Sequence, residues 1–146
     1  ILKSISLKNS VVLEDLKEEY KRKVLNFGHT LGHAIESNYL GTAKELLHGE
    51  AIAVGMILET FLSYKILGLS FNDLENITKT ITRFFKKINI NNPEVLKIIS
   101  LLKHDKKVIE GKVNFVLINQ VGDTKIDVLV NDKLIKESFD FYNSLS

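Results

Sequence analysis

The segment from Ala51 to Leu67 restricts the fold most, because it is apolar almost all the way around a helix. A helix of this kind belongs in a core rather than on a surface. Its longest apolar run, Ala51 to Leu62, is interrupted by Glu59 and is too short to span a bilayer. Gly68 is expected to end it. We therefore predict a buried helix over this segment.

The other patterns predict a mainly α-helical domain over residues 1–146 with one small antiparallel β-hairpin. The expected helices are Ile1–Leu16, Arg22–Tyr39, Asn72–Ile88, Pro93 to about Lys103, and Asp132–Leu145, and the expected strands Val113–Ile118 and Lys125–Val130 flank a turn at Gly122-Asp123. Leu40–Leu47 is predicted to be a loop. In the helix from Asn72, capped by Ser70 or Asn72, the inward-facing residues are expected to be Leu74, Ile77, Ile81, Phe84 and Phe85.

Composition excludes several classes of function. The chain has no cysteine, so disulfides, thiolate metal sites and a cysteine nucleophile are excluded. A net charge of +2 is too small for general nucleic-acid binding. No signal peptide or membrane span is predicted, so the expected location is the cytoplasm. Ile1 in place of a start methionine indicates either a piece of a longer protein or processing.

Three of the four histidines lie close together in the sequence, at His29, His33 and His48. His29 and His33 are four residues apart and would share one face of a helix, where neutral imidazoles can bind a divalent metal. The alternative is that some of them form hydrogen bonds in the core. A histidine pair at this spacing is a weak signal alone, and the residue after His29 is not the glutamate of a metalloprotease.

Basic and amide side chains accompany the histidines. On a continuous helix, Arg22 and Asn26 would share the face of His29, where they could bind a carboxylate or phosphate. The alternative is a solvated basic helix start, which suits Lys21 and Lys23. Lys106 and Lys107 could bind an anion from a loop, although lysine pairs usually face solvent. Gly28 and Gly32, inside the same predicted helix, indicate close approach by another backbone or a ligand.

Together these residues resemble the C-terminal domain of the 3-dehydroquinate synthase family, over nearly the whole chain. The resemblance is carried by Lys8, Val11-Val12, Asp15-x-x-Glu18, Arg22-x-x-Leu25-Asn26-Phe27-Gly28-His29-Thr30-x-Gly32-His33-Ala34-Ile35-Glu36, His48-Gly49-Glu50-Ala51, Gly55-Met56, Asp105-Lys106-Lys107 and Gly122. The chain departs from the family pattern at Tyr20, where a glycine is usual, and in a longer interval between His33 and His48.

The resemblance implies a lyase of the shikimate pathway, which forms 3-dehydroquinate and phosphate from 3-deoxy-D-arabino-heptulosonate 7-phosphate. It implies NAD, a zinc or cobalt ion and a cytoplasmic homodimer. The implied roles are metal ligation by His29 and His48, catalysis by His33, Glu18 and Asn26, and binding of the anionic sugar phosphate by Lys8, Arg22, Asn26, His33 and Lys106 or Lys107.

The chain lacks the glycine-rich strand–turn–helix that binds NAD, which the resemblance assigns to an N-terminal domain absent here. The family's third metal ligand, a glutamate, also lies upstream. The isolated chain is therefore expected to be inactive, to bind zinc poorly and to expose an apolar face. The alternatives are another sugar-phosphate cyclase, a metal-dependent dehydrogenase of the glycerol type, or a non-catalytic helical module.

Overall fold

The computed structural model describes residues 2–15, 21–105 and 111–145. Within these ranges the elements are α1 (Leu2–Glu14), a 3₁₀ helix (Lys21–Asn26), α2 (His29–Tyr39), α3 (His48–Leu67), α4 (Phe71–Phe84), α5 (Asn92–Asp105), β1 (Val113–Gln120), β2 (Asp123–Val130) and α6 (Asp132–Ser144). The predicted mainly α fold with one hairpin is confirmed.

The central helix α3 lies in the core, as predicted. Leu58 and Leu62 are fully buried, and α3 packs against α2, α4, α6 and β1. It begins three residues before the predicted start, where the Glu50 carboxylate accepts a hydrogen bond from the Leu47 N–H at 2.8 Å. Gly68 ends it with φ +75°, as expected. Among the helices that the structure describes, none is long and apolar enough to cross a membrane.

The hairpin is antiparallel, with Val113 paired to Val130 and Gln120 to Asp123 at the turn. Strand β1 is buried on both faces along its middle, since Phe115, Val116, Leu117 and Ile118 are all buried in succession. The Ile118 N–H donates to the Ser63 hydroxyl at 3.0 Å, so a buried hydrogen bond ties the hairpin to the C-terminal half of α3.

The helix predicted from Arg22 to Tyr39 is wrong in one respect, because it is not continuous. The 3₁₀ helix ends at Asn26, and α2 starts only at His29. Between them Gly28 adopts φ +82°, a left-handed conformation that interrupts a right-handed helix and favours glycine. The single helical face proposed for Arg22, Asn26, His29 and His33 therefore does not exist.

The prediction for α4 is also partly wrong. The helix ends at Phe84, and Phe84 and Phe85 are 74% and 40% exposed rather than buried. After Phe84 the chain turns toward the end of α6, where the Lys87 ammonium group donates to the Asn143 carbonyl at 2.8 Å. Leu74 is buried as predicted, and of the two proposed caps it is Ser70 whose hydroxyl accepts from the Asp73 N–H at 3.0 Å.

Candidate metal and anion site

His29, His33 and His48 converge at the start of α2 and α3. One ring nitrogen from each lies within 4.8 Å of the other two, and the ring centroids are 5.3 to 5.8 Å apart. His29 and His33 are half-buried and His48 is exposed, so the cluster opens to solvent. The structure thus brings together all three predicted histidines, including His48 from a different helix.

In two of these imidazoles an oxygen atom contacts Nδ1 and orients the ring. His29 Nδ1 lies 3.2 Å from the Phe27 carbonyl oxygen, and His48 Nδ1 lies 3.1 Å from the Glu36 carboxylate. Since these oxygens only accept hydrogen bonds, Nδ1 carries the proton in both contacts. Nε2 of each ring then keeps its lone pair for a metal, and the oxygen at Nδ1 fixes the tautomer and orientation of the ring.

Glycines allow the two helices that carry the histidines to approach closely. A β-carbon on Gly55 would lie 2.7 Å from the Gly32 backbone nitrogen and closer still to the Gly28 carbonyl oxygen. On Gly32, a β-carbon would lie 3.0 Å from the Ile52 Cα. The sequence predicted that another backbone or a ligand approaches Gly28 and Gly32 closely, and the structure shows that the backbone of α3 does so. We call the contact of Gly28 and Gly32 with Gly55 the glycine crossing.

The donor set suits a borderline divalent ion. Zinc binds imidazole nitrogens at about 2.0–2.1 Å, which places tetrahedral donors roughly 3.4 Å apart. Nitrogens already within 4.8 Å of one another need only small side-chain rotations to reach that spacing. The residues present therefore fit a zinc or cobalt ion.

A cleft of about 570 Å³ lies beside the cluster, between α1 and the 3₁₀ helix. Its lining consists of Ser4, Lys8, Val11, Arg22, Leu25, Asn26 and His29. Among these described residues there are two permanent cations and no carboxylate, so the cleft favours an anion. Although the predicted continuous helix is wrong, the structure still brings Lys8, Arg22 and Asn26 to one cavity, with His29 shared between cavity and cluster.

Some site predictions lie outside the described residues, namely those for Glu18, Lys106 and Lys107, and so does the departure at Tyr20. Two glutamates of the site were missed by sequence reasoning. Glu36 lies one turn beyond His33 but contacts His48 of α3, so its spacing along α2 gave no signal for this role. Glu59 is the one charge in an otherwise apolar run, and a fully buried carboxylate always requires partners.

Comparison with a solved structure gives the class of the protein. The chain is similar to 2-deoxy-scyllo-inosose synthase, crystallised with carbaglucose-6-phosphate, NAD⁺ and Co²⁺, with a TM-score of 0.79, 30% identity, and coverage of 92% of this chain and 39% of that one. The fold of this chain is that of the dehydroquinate-synthase-like sugar-phosphate cyclases. Residues 1–108 match the family model described as 3-dehydroquinate synthase C-terminal, and the chain belongs to this family.

Curated relatives agree with this assignment. The 3-dehydroquinate synthase of Parabacteroides distasonis is 38% identical over 139 residues, which cover 95% of this chain and 39% of the relative. That of Dictyoglomus thermophilum is 39% identical over 132 residues, which cover 90% and 36%. The chain therefore spans less than half the length of these curated relatives.

Proposed function

We propose that this chain is the metal- and substrate-binding domain of a 3-dehydroquinate synthase, acting as part of a longer, NAD-dependent enzyme. The observation that carries the proposal is the shared position of His29, which belongs both to the three-histidine cluster and to the cationic cleft. This juxtaposition supports binding of a metal next to an anion. Membership of the family supports the same reading.

His29 and His48 would hold the metal, since each has its Nδ1 engaged by an oxygen and its Nε2 available. The ion, zinc or cobalt, would act as a Lewis acid on a substrate oxygen. The solved relative contains Co²⁺. A glutamate from the N-terminal part of the enzyme would be the third ligand.

Arg22, Lys8 and Asn26 would bind the carboxylate and phosphate of 3-deoxy-D-arabino-heptulosonate 7-phosphate. Arg22 supplies a planar fork for a carboxylate or phosphate, and Asn26 supplies an amide donor. Lys106 or Lys107 and Glu18 would complete the binding and the proton traffic. These three stay proposals from the family pattern.

His33 would transfer protons during phosphate elimination, with Asn26 beside the substrate. It is half-buried next to His29, with ring centroids 5.3 Å apart, so it faces the same reacting region from one turn further along α2. An imidazole is suited to this role because its ordinary pKa lies near neutral pH.

The remaining parts of the proposal concern the whole protein. An N-terminal domain would bind NAD and supply the oxidation and reduction of the substrate. The intact enzyme would be a cytoplasmic homodimer of the shikimate pathway. The isolated chain would be inactive, because it has no glycine-rich nucleotide-binding signature.

The test is phosphate release from 3-deoxy-D-arabino-heptulosonate 7-phosphate by the complete natural protein, supplied with NAD and Zn²⁺ or Co²⁺. We expect release that depends on both NAD and the metal and is lost with chelator. Product identification by mass spectrometry checks that 3-dehydroquinate is formed. A complete protein that binds metal but releases no phosphate from this substrate contradicts the proposal.

A second candidate is a cyclase whose substrate is a sugar phosphate without a carboxylate. The fold similarity to 2-deoxy-scyllo-inosose synthase favours this candidate. The same assay with glucose 6-phosphate separates the two. Activity on glucose 6-phosphate and none on the sugar acid phosphate would favour this candidate, because glucose 6-phosphate has no carboxylate.

A further inference from the structure

We propose that Glu59 is a positioning residue of the metal centre, acting from α3 through the backbone of α2. Its side chain is fully buried in the middle of an apolar helix. One carboxylate oxygen accepts the Gly28 N–H at 2.6 Å, and the other accepts the Leu31 N–H at 3.1 Å. These two donors flank His29.

Glu59 supplies the helix cap that α2 cannot supply for itself. The first amides of a helix lack partners within the helix, and a side chain at the cap position usually accepts from them. Here the cap position is Gly28, which has no side chain and forms no side-chain cap hydrogen bond. A side chain there is excluded, because its β-carbon would lie 3.0 Å from the Met56 backbone nitrogen and closer still to the Met56 side chain.

Helix α3 therefore has two effects on the start of α2. Its Met56 leaves room only for glycine at position 28, and its Glu59 carboxylate accepts the hydrogen bonds that a side-chain cap would otherwise accept. A carboxylate is suited to this position because negative charge is favourable at a helix N-terminus, and more so where water is excluded. His48, at the first turn of α3, and Glu59, further along it, belong to one rigid helix. Through Glu59, α3 fixes the first turn of α2, and so the position of His29 relative to His48.

The inference rests on the proposed metal-binding role of the histidines. The test compares Co²⁺ affinity and the Co²⁺ visible absorption spectrum in the complete protein and in Glu59→Gln. The amide keeps the shape of the side chain but can accept at only one atom, so one of the two backbone N–H groups loses its acceptor. We expect Co²⁺ affinity to fall at least about 10-fold, as for loss of an outer-shell partner, with altered absorption bands.

Ser63→Ala is the matched control. Ser63 is fully buried one turn further along α3, where its hydroxyl accepts the Ile118 N–H and donates to the Glu59 backbone carbonyl at 2.7 Å. Its removal therefore leaves the Glu59 carboxylate in place. This variant should lower the unfolding temperature and leave the Co²⁺ affinity unchanged. Equal affinity in Glu59→Gln and wild type overturns the inference alone, as does an equal loss in Ser63→Ala. A wild-type protein that binds no Co²⁺ overturns both this inference and the proposed metal centre.

A measurement on the wild type covers the case in which Glu59→Gln does not fold. If the cap and the metal site are coupled, binding at one must strengthen the other. Zn²⁺ should therefore slow hydrogen exchange at the Gly28 and Leu31 amides more than at the Ile118 amide. Equal slowing at all three, or none, overturns the coupling.

Discussion

The two halves of the candidate site are built in different ways. The histidines stand on α2 and α3, whose backbones meet at the glycine crossing in the buried core. The residues proposed to bind the anion, Lys8, Arg22 and Asn26, stand on α1 and the 3₁₀ helix, which we together call the N-terminal arm. Among the described elements α1 packs mainly against the 3₁₀ helix, and Leu2 and Leu13 are 85% and 72% exposed.

This difference indicates that the arrangement of the three histidines is determined within the chain, whereas the position of the proposed anion-binding residues depends on additional contacts. Backbone contact without intervening side chains leaves α2 and α3 little freedom to move. The N-terminal arm is joined to the hairpin by an exposed ion pair, Lys23 with Asp127 at 3.5 Å, which contributes little stability. Its exposed leucines fit the expectation of an uncovered apolar face.

The largest expected effect comes from breaking the glycine crossing. In Gly55→Val the new side chain would collide with the backbone of Gly28 and Gly32. We expect a loss of about 3 kcal/mol in the free energy of unfolding, measured by chemical denaturation. Gly49→Ala is the control, since a β-carbon at Gly49 meets nothing within 4 Å. If both variants are equally stable, the crossing is not as tight as described.

Removing an imidazole tests the metal half directly. In His48→Ala the cluster loses one of its three nitrogens, and we expect Co²⁺ affinity to fall on the order of 100-fold or more, beyond the cost of losing an outer-shell partner. His104→Ala is the control, because His104 is exposed on α5 and is not part of the described cluster. Unchanged affinity in His48→Ala would remove His48 from the metal site.

Arg22→Gln tests the N-terminal arm. A charged hydrogen bond contributes about 1.5–3 kcal/mol, so KM for the sugar acid phosphate should rise roughly 10- to 100-fold while Co²⁺ affinity stays constant. Lys23→Gln, the next residue in the same 3₁₀ helix, pairs with Asp127 and is absent from the cleft lining, so its KM should not change. A fall in Co²⁺ affinity in Arg22→Gln would show that the two halves are not independent.

A smaller effect is expected from Glu36→Gln. The amide can still contact His48, but the charge that supports the imidazole is lost, so Co²⁺ affinity should fall about 10-fold. Glu45→Gln is the control, because the Glu45 carboxylate accepts only the Gly41 N–H among its described hydrogen bonds, at 3.0 Å. Identical Co²⁺ titrations of the two variants would argue against support of His48 by Glu36.

The smallest effect is expected at Glu94, in the first turn of α5, which pairs with Lys44 of the loop between α2 and α3. Burial raises the pKa of Glu94, but hydrogen bonds from Lys44 and the Asn91 backbone lower it more, and the net pKa is below the usual range. A depressed folded-state pKa gives stability that is present above the unfolded pKa and lost as pH falls through the folded pKa. Glu94→Gln keeps an oxygen that can accept the Asn91 N–H but loses the charge, so it should cost about 0.5 kcal/mol of unfolding free energy at neutral pH, measured by denaturation.

The same comparison at acid pH supplies the check. Below the folded pKa of Glu94 the wild-type carboxyl is protonated, so the two proteins should unfold at nearly the same denaturant concentration. A difference that persists unchanged at low pH would assign the effect to lost packing rather than charge.

Much of the fold could be predicted from sequence because its signals are local. The all-round apolar pattern of α3, the Gly68 stop, the apolar run of β1 and the alternation in β2 each depend on neighbouring residues. The break before α2 was missed because it depends on a distant residue. Gly28 takes its left-handed conformation against α3, and the buried Glu59 carboxylate bonds to its N–H.

For the site, the sequence predicted which residues take part more accurately than how those residues are arranged. Lys8, Arg22, Asn26 and His29 do share a cavity, but the residues come from α1, the 3₁₀ helix and α2 rather than from one helical face. Glu36 and Glu59 act on histidine-bearing segments through hydrogen bonds across helices. No spacing rule along one helix predicts such contacts.

The glycine crossing has a consequence for the order of folding. It joins two helices that are neighbours along the chain, so all three imidazoles lie within residues 29–48. Contacts between near residues cost little loop-closure entropy and form early. The hairpin meets α3 across a separation of 55 residues, at Ser63 and Ile118. The three imidazoles can thus be assembled on a chain still leaving the ribosome, before the hairpin exists to close the domain.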